Sequence, residues 1–203
     1  MGRRRNNRPP LVRFSQCHYS LAMRRTLKLH PDSRCEAATK VEVDVTRSHG
    51  DQMTFRFLVT GKIADLRLPP VTVSASADGL WRHTCFEAFV RTSDSVAYYE
   101  FNFAPSRQWA AYHFSDYRSG MSVPSRPVVP NLLGEESITS FQLDVSLRLR
   151  ELPDLPTSKP WRLGLSAVLE ETNGNKSYWA LAHPPGKADF HRGDCFVLEL
   201  PAA

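Results

Sequence analysis

The sequence predicts an all-β protein, a single antiparallel β-sandwich of jelly-roll type with about nine strands. Three observations carry this. Apolar and polar residues alternate strictly in several short runs, the pattern of a half-buried strand. Fifteen Pro and ten Gly punctuate the chain, many for a helical protein. No stretch spaces its apolar residues as an amphipathic helix would. At 203 residues with 41% hydrophobic and 23% charged residues, one domain can bury a core without a disulfide or metal.

The elements follow in chain order. Val41, Val43 and Val45 point one way while Glu42, Asp44 and Thr46 point the other. Met53, Phe55, Phe57 and Val59 alternate with Thr54, Arg56, Leu58 and Thr60, and the run stops at Gly61. Segments 84–91, 97–104 and 109–114 are aromatic-rich and of strand length, whereas 65–80 and 115–137 read as long loops. The clearest alternation sets Phe141, Leu143, Val145, Leu147 and Leu149 against Gln142, Asp144, Ser146, Arg148 and Arg150. Leu163, Leu165, Ala167 and Leu169 form another apolar row, and Phe196, Leu198 and Leu200 close the chain. Between the last two, Asn173-Gly174 predicts a hairpin with a type I′ turn, which needs positive φ at both central residues.

The net charge of +5 is confined to one place. Residues 1–22 hold Arg3, Arg4, Arg5, Arg8 and Arg13 and no Lys, Asp or Glu; residues 23–203 balance 21 basic against 21 acidic residues. We therefore read 1–22 as a basic, disordered extension, or a stretch upstream of a true start at Met23, and 23–203 as the folded domain. A secretory or twin-arginine signal needs about 7–15 uninterrupted apolar residues, and Arg13, Gln16 and His18 break up Leu11 to Ala22. A basic arm on nucleic acid remains open for the tail, but the neutral body argues for no nucleic acid there. No window of about 18 apolar residues predicts a membrane span. Cys17, Cys35, Cys85 and Cys195 make no C-x-x-C pair, so the expectation is a cytoplasmic protein with reduced thiols.

Aromatic residues cluster. Eleven lie between Trp81 and Tyr117, and the other ten occupy the remaining 166 residues. Alternation puts Tyr99, Phe101 and Phe103 on one face and Tyr98, Glu100 and Asn102 on the other; Glu87 shares a face with Cys85 and Phe89. A face mixing carboxylate, carboxamide and rings suits a saccharide, whose apolar ring faces stack on Trp or Tyr while its hydroxyls seek polar partners. The same pattern also fits aromatics in a sandwich core beneath a solvated acidic face.

Three runs carry a family resemblance: Ala77 to Phe89 (ADGLWRHTCFEAF), Tyr99 to Ser106 (YEFNFAPS) followed by Trp109, and Ser177 to Pro184 (SYWALAHP) followed by Asp189-Phe190-His191. Together they resemble DOMON-like proteins related to family 9 carbohydrate-binding modules, over about residues 23–203, in a cytoplasmic-looking subgroup. The resemblance implies a non-catalytic β-sandwich whose sugar-binding members clamp a saccharide between two rings. Trp81 matches the first ring and Glu87 a carboxylate that holds hydroxyls. Trp179 and Phe190 are candidates for the second ring, and Arg107 or Gln108 could add a polar contact by position. Glu100, Asn102 and Trp109 are assigned to the same surface, with a structural role for Asn102 and Trp109 equally open. Extracellular members often carry Asp just before the Val/Phe-Glu pair; here Cys85 stands there, so no calcium site is carried over.

Other chemistries have weaker footing. His183, Asp189, His191, Asp194 and Cys195 lie within thirteen residues, but zinc sites use tighter, paired spacings. A glycosidase needs two carboxylates at a set separation, with Glu87, Glu100 and Glu170 available. Haem would need axial ligands such as Met121, His83 or His113, whose spacing singles out none. No nucleophile elbow or phosphate-binding loop occurs. The expectation is a non-enzymatic saccharide-binding domain with no cofactor and no metal; the competing class is an interaction module whose aromatic face meets a protein.

Overall fold

The computed structural model describes residues 22–48, 52–149 and 152–202; the basic extension, apart from Ala22, lies outside them. The described residues form twelve strands: β1 (Met23–Leu29), β2 (Ala38–Arg47), β3 (Gln52–Gly61), β4 (Ala75–Ser76), β5 (Cys85–Thr92), β6 (Tyr98–Phe103), β7 (Gln108–Phe114), β8 (Asn131–Glu136), β9 (Ser140–Arg148), β10 (Trp161–Glu170), β11 (Lys176–Ala180) and β12 (Leu198–Leu200). They join in the order β4-β7-β6-β5-β10-β11-β1-β2-β3-β9-β8, with β12 beside β10. Three short 3-10 turns and no α-helix complete the described residues, and no helix is long and apolar enough to cross a membrane.

The protein is thus all-β, as expected, but its strands form one curled, mixed sheet. β1 makes the continuity: Met23 to Leu27 pair with β2, and Lys28 and Leu29 with β11. The curl brings the two ends face to face. Phe57 of β3 meets Phe86 of β5 with ring centroids 5.0 Å apart, and Phe55 meets Phe103 of β6 at 6.3 Å. The alternating valines and phenylalanines of β2, β3 and β9 supply the other side of this main core.

Three expectations are corrected. Twelve strands replace about nine, because β1, β4 and β8 escape the alternation criterion. β1 and β8 bury only Leu27 and Leu132 respectively, and β4 is a two-residue contact inside the segment read as a loop. The pairing is antiparallel except for β4 and β7, which run parallel. The Asn173-Gly174 hairpin is present, but its turn is not type I′: among described non-glycine residues only Arg107 and Arg118 have positive φ. Within this loop Gly174 alone takes the left-handed conformation (φ 87°), and its N–H donates to Glu171 O at 2.8 Å while Glu171 N–H donates to Asn175 O. This is the three-residue loop in which a type I turn ends in a glycine bulge.

β5, β6, β7 and β10 are covered on both faces. Their second face carries a smaller cluster built from Cys85, Phe89, Tyr98, Tyr112 and Phe114, closed over by Phe190, Cys195 and Phe196 from the segment after β11. Gly164 of β10 permits that closure: a Cβ there would lie 3.2 Å from Cys195 O and 3.5 Å from Phe89 Cβ.

The main core sets a testable scale. Phe57 is fully buried and touches Phe86 across the curl, so Phe57→Ala is expected to cost about 3–5 kcal/mol in denaturant unfolding. Ile138, 91% exposed, should change stability by less than about 0.5 kcal/mol when made Ala.

Candidate functional site

A cleft of about 470 Å³ opens on this second face. Its floor is set by strand register. Glu87 of β5 stands opposite Ser166 of β10 and Asn102 of β6; Glu100 stands opposite Phe89 and Tyr112. Strict alternation sends all of these to the side away from the main core. Glu87 and Glu100 are 3% and 5% exposed and both line the cleft.

Each carboxylate has one oxygen engaged by the protein. Ser166 Oγ donates to Glu87 Oε2 at 2.8 Å, and Asn102 Nδ2 donates to Glu100 Oε1 at 2.7 Å. Asn102 Oδ1 receives the Cys85 thiol at 3.7 Å, which fixes the amide's orientation. Glu87 Oε1 receives no hydrogen bond from a described residue. Glu100 Oε2 has only His191 Nε2, at 3.7 Å, too far for one.

Burial and mutual repulsion govern the charges. Desolvation first, then the neighbouring Glu100, push Glu87 up to about 8, against the opposing pull of Ser166 and Arg118. Burial likewise raises Glu100, despite the hydrogen bond from Asn102. His191 is driven down to about 4 by desolvation and by Arg118, so at neutral pH it is uncharged and its approach to Glu100 is not an ion pair. Arg118 N–H donates to Tyr98 Oη at 3.2 Å, and the same hydroxyl shares a hydrogen bond with His191 Nδ1 at 2.8 Å.

The walls come from three loops. Trp81 sits on the 3-10 turn Leu80–Arg82, entered through left-handed Gly79 (φ 73°). It is 39% exposed and meets Tyr112 edge-on at 6.1 Å, while the Tyr112 hydroxyl donates to Asp78. The second wall is the turn after β7, where Arg118 takes φ 49° and its guanidinium donates to Asp189 Oδ1 at 2.8 and 3.2 Å. Burial works against ionised Asp189, but Tyr117 and Arg118 outweigh it and hold its carboxyl below the usual range. Phe190 and His191 form the third wall, with Phe114 beneath.

Of the residues singled out by sequence, Trp81, Glu87, Glu100 and Phe190 meet at this cleft. Asn102 lies immediately behind it, wholly buried, positioning Glu100. Three do not meet there. Trp179 is packed in the main core, its Nε1 donating to Ser177 Oγ at 3.0 Å. The β11 ring on the cleft face is Tyr178, one position away, 6.3 Å from Phe190. Arg107 occupies the β6–β7 turn with φ 70°. Trp109 packs against the main core and lines a separate apolar groove along β4 and β7. No sequence signal marks Arg118, and the sequence offers His191 as part of the third motif run and as a metal candidate, not as a cleft residue. Among described residues no His, Cys, Asp or Glu group is arranged to hold a metal: His183 contacts Lys28 O, 2.8 Å away, while His191 binds Tyr98.

No protein-family model and no curated protein sequence matches this chain. Solved structures do. One from Bacteroides uniformis, provisionally described as a carbohydrate-binding protein, superposes with a TM-score of 0.64 at 13% identity, over 86% of this chain and 84% of that one. A family 9 carbohydrate-binding module from Caldicellulosiruptor kristjanssonii, in complex with cellotriose, gives 0.50 at 6% identity, over 81% and 75%. The class defined is the fold of carbohydrate-binding modules.

The carboxyl pair predicts a pH signature. A raised carboxyl pKa means the folded state holds a proton that the unfolded chain releases near its ordinary value of 4.5, so Glu87 costs stability as pH rises toward about 8. His191 has the opposite sign, costing stability as pH falls from 6.5 toward about 4. Between pH 6.5 and 8 the carboxyl effect stands alone. Wild-type unfolding free energy should fall there by roughly 1–2 kcal/mol, and Glu87→Gln should flatten most of that slope in urea melts taken across the range.

Proposed function

We propose that this chain is a non-catalytic domain that binds a saccharide in the cleft between Trp81, Phe190 and the Glu87–Glu100 floor. The observation that carries it is the pairing of a half-exposed Trp81 ring at the mouth with two buried carboxylates below. A sugar's apolar face stacks on the ring and its hydroxyls reach the acids. The cleft volume falls in the range of small-molecule sites, about 300–1,000 Å³. The fold is shared with a module solved with cellotriose, which supports the reading. The finer placement among DOMON-like proteins rests on the three sequence motifs, and a cytoplasmic location on the cysteine pattern.

Hydrolysis fits the site less well. A glycosidase also uses two carboxylates, one ionised and one protonated, whereas the solved structures that share this fold are described as carbohydrate-binding. The interaction-module reading draws on Met121 and Val123, 61% and 76% exposed beside the cleft and the β4–β7 groove.

Calorimetric titration against mono- and oligosaccharides tests the proposal. Trp81→Ala should weaken binding by about 1.5–3 kcal/mol, the worth of one large ring leaving water, with little change in melting temperature because the ring is already 39% exposed. No binding across the panel, with a protein partner captured through the same face and lost in Trp81→Ala, would replace the saccharide reading with the interaction module.

A further inference from the structure

The cleft carries a charge imbalance that a neutral sugar does not correct. Arg118 is the cation among its lining residues, and it is already committed to Asp189 by two hydrogen bonds. His191 is neutral, its Nδ1 held by Tyr98, and Tyr98 and Tyr112 are held in their protonated forms, by burial foremost. On the Trp81 side, Asp78 under the Tyr112 hydroxyl adds negative charge. The floor thus holds two carboxyl groups with no cation of their own. Both are more than nine-tenths buried, and each presents one oxygen that the protein leaves unengaged: Glu87 Oε1 and Glu100 Oε2.

The rings of Trp81, Tyr112, Phe114 and Phe190 line the same cleft. Carboxylates in a cleft lined by aromatic rings suit a cation. A primary ammonium has three N–H donors for the free oxygens, and its charge is attracted to ring faces. A hydroxyl has one donor and no charge to offset either acid.

We propose, resting on the saccharide reading above, that the ligand is an amino sugar whose amine is unacylated, its ammonium held by the unengaged oxygens of Glu87 and Glu100. At neutral pH the pair retains a proton, because two adjacent buried carboxyls resist double ionisation. Ammonium binding favours the ionised pair and so expels that proton to solvent. A neutral sugar, which the protonated acid serves equally well as donor, expels none.

Titration calorimetry at pH 7 with glucosamine, glucose, N-acetylglucosamine and ethanolamine tests this, run in two amine-free buffers of different ionisation enthalpy. Glucosamine should bind at least about tenfold tighter than glucose and N-acetylglucosamine and release between about half a proton and one proton per ligand. Glu87→Gln and Glu100→Gln, each checked for a native circular dichroism spectrum, should abolish both the preference and the proton release. Two such variants keep the test usable if one fails to fold. Glucose binding as tightly as glucosamine, or glucosamine binding without proton release, would overturn the ammonium assignment and leave the saccharide reading standing. Ethanolamine binding with proton release while no sugar binds would do the reverse. Silence from all four probes, with well-folded protein, would overturn both.

Discussion

β5 is hydrogen-bonded along both edges, to β6 through five residue pairs and to β10 through eight, and this double pairing decides which side chains reach the cleft. Because side chains alternate, Phe86, Ala88 and Val90 enter the main core while Cys85, Glu87 and Phe89 face the other way. A slip of one residue would exchange the sets. It would drive Glu87 among Phe57, Phe103 and Phe141 and turn Phe86 away from them, a cost of several kcal/mol for the carboxylate alone. The apolar face therefore holds the polar face in register. β6 repeats the logic, with Tyr99, Phe101 and Phe103 inward and Tyr98, Glu100 and Asn102 outward.

Register alone would leave those acids in water. They are buried because the chain after β11 returns over the sheet, seating Phe196 against Phe89 at 6.0 Å and His191 against Phe89 at 5.2 Å and Phe114 at 5.1 Å. The turn after β7 is fastened to this returning segment by Arg118 and Tyr117 on Asp189. Arg118 does so from a left-handed conformation that disfavours a branched or bulky residue, with its own N–H on Tyr98. Two segments about seventy residues apart thus close one wall of the cleft.

The parity of β5 and β6 was legible in the sequence, and with it the grouping of Glu87, Glu100 and Asn102, because alternation is a local property. Which β11 ring faces the cleft was not. Trp179 and Tyr178 differ by one position, and their sides depend on pairing with β10 at Ala167 and Val168, a contact no local pattern announces. β8 was hidden for a related reason: as an exposed edge strand it has no buried row to betray it. Arg118 and His191 become site residues only through tertiary closure. The tight loop around Gly174 shows the limit from the other side, where the dipeptide marked the hairpin but the backbone chose a different turn.

A protein needing only a packed second layer would place leucines where Glu87 and Glu100 stand, since replacing buried ionisable groups by apolar ones is often neutral or stabilising. The pair instead raises its own proton affinity and leaves two oxygens, on the floor of the cleft, without a hydrogen-bond partner among the described residues. Arg118, held by Asp189, offsets this only in part and neutral His191 does not, so the free sheet carries an electrostatic cost that packing around Phe89, Phe114 and Phe196 must outweigh. Such a cost is relieved when a ligand supplies the missing donors, and binding then stabilises the folded state by mass action. The polar row is held in place by the core behind it, and its hydrogen bonding is completed by whatever enters from in front.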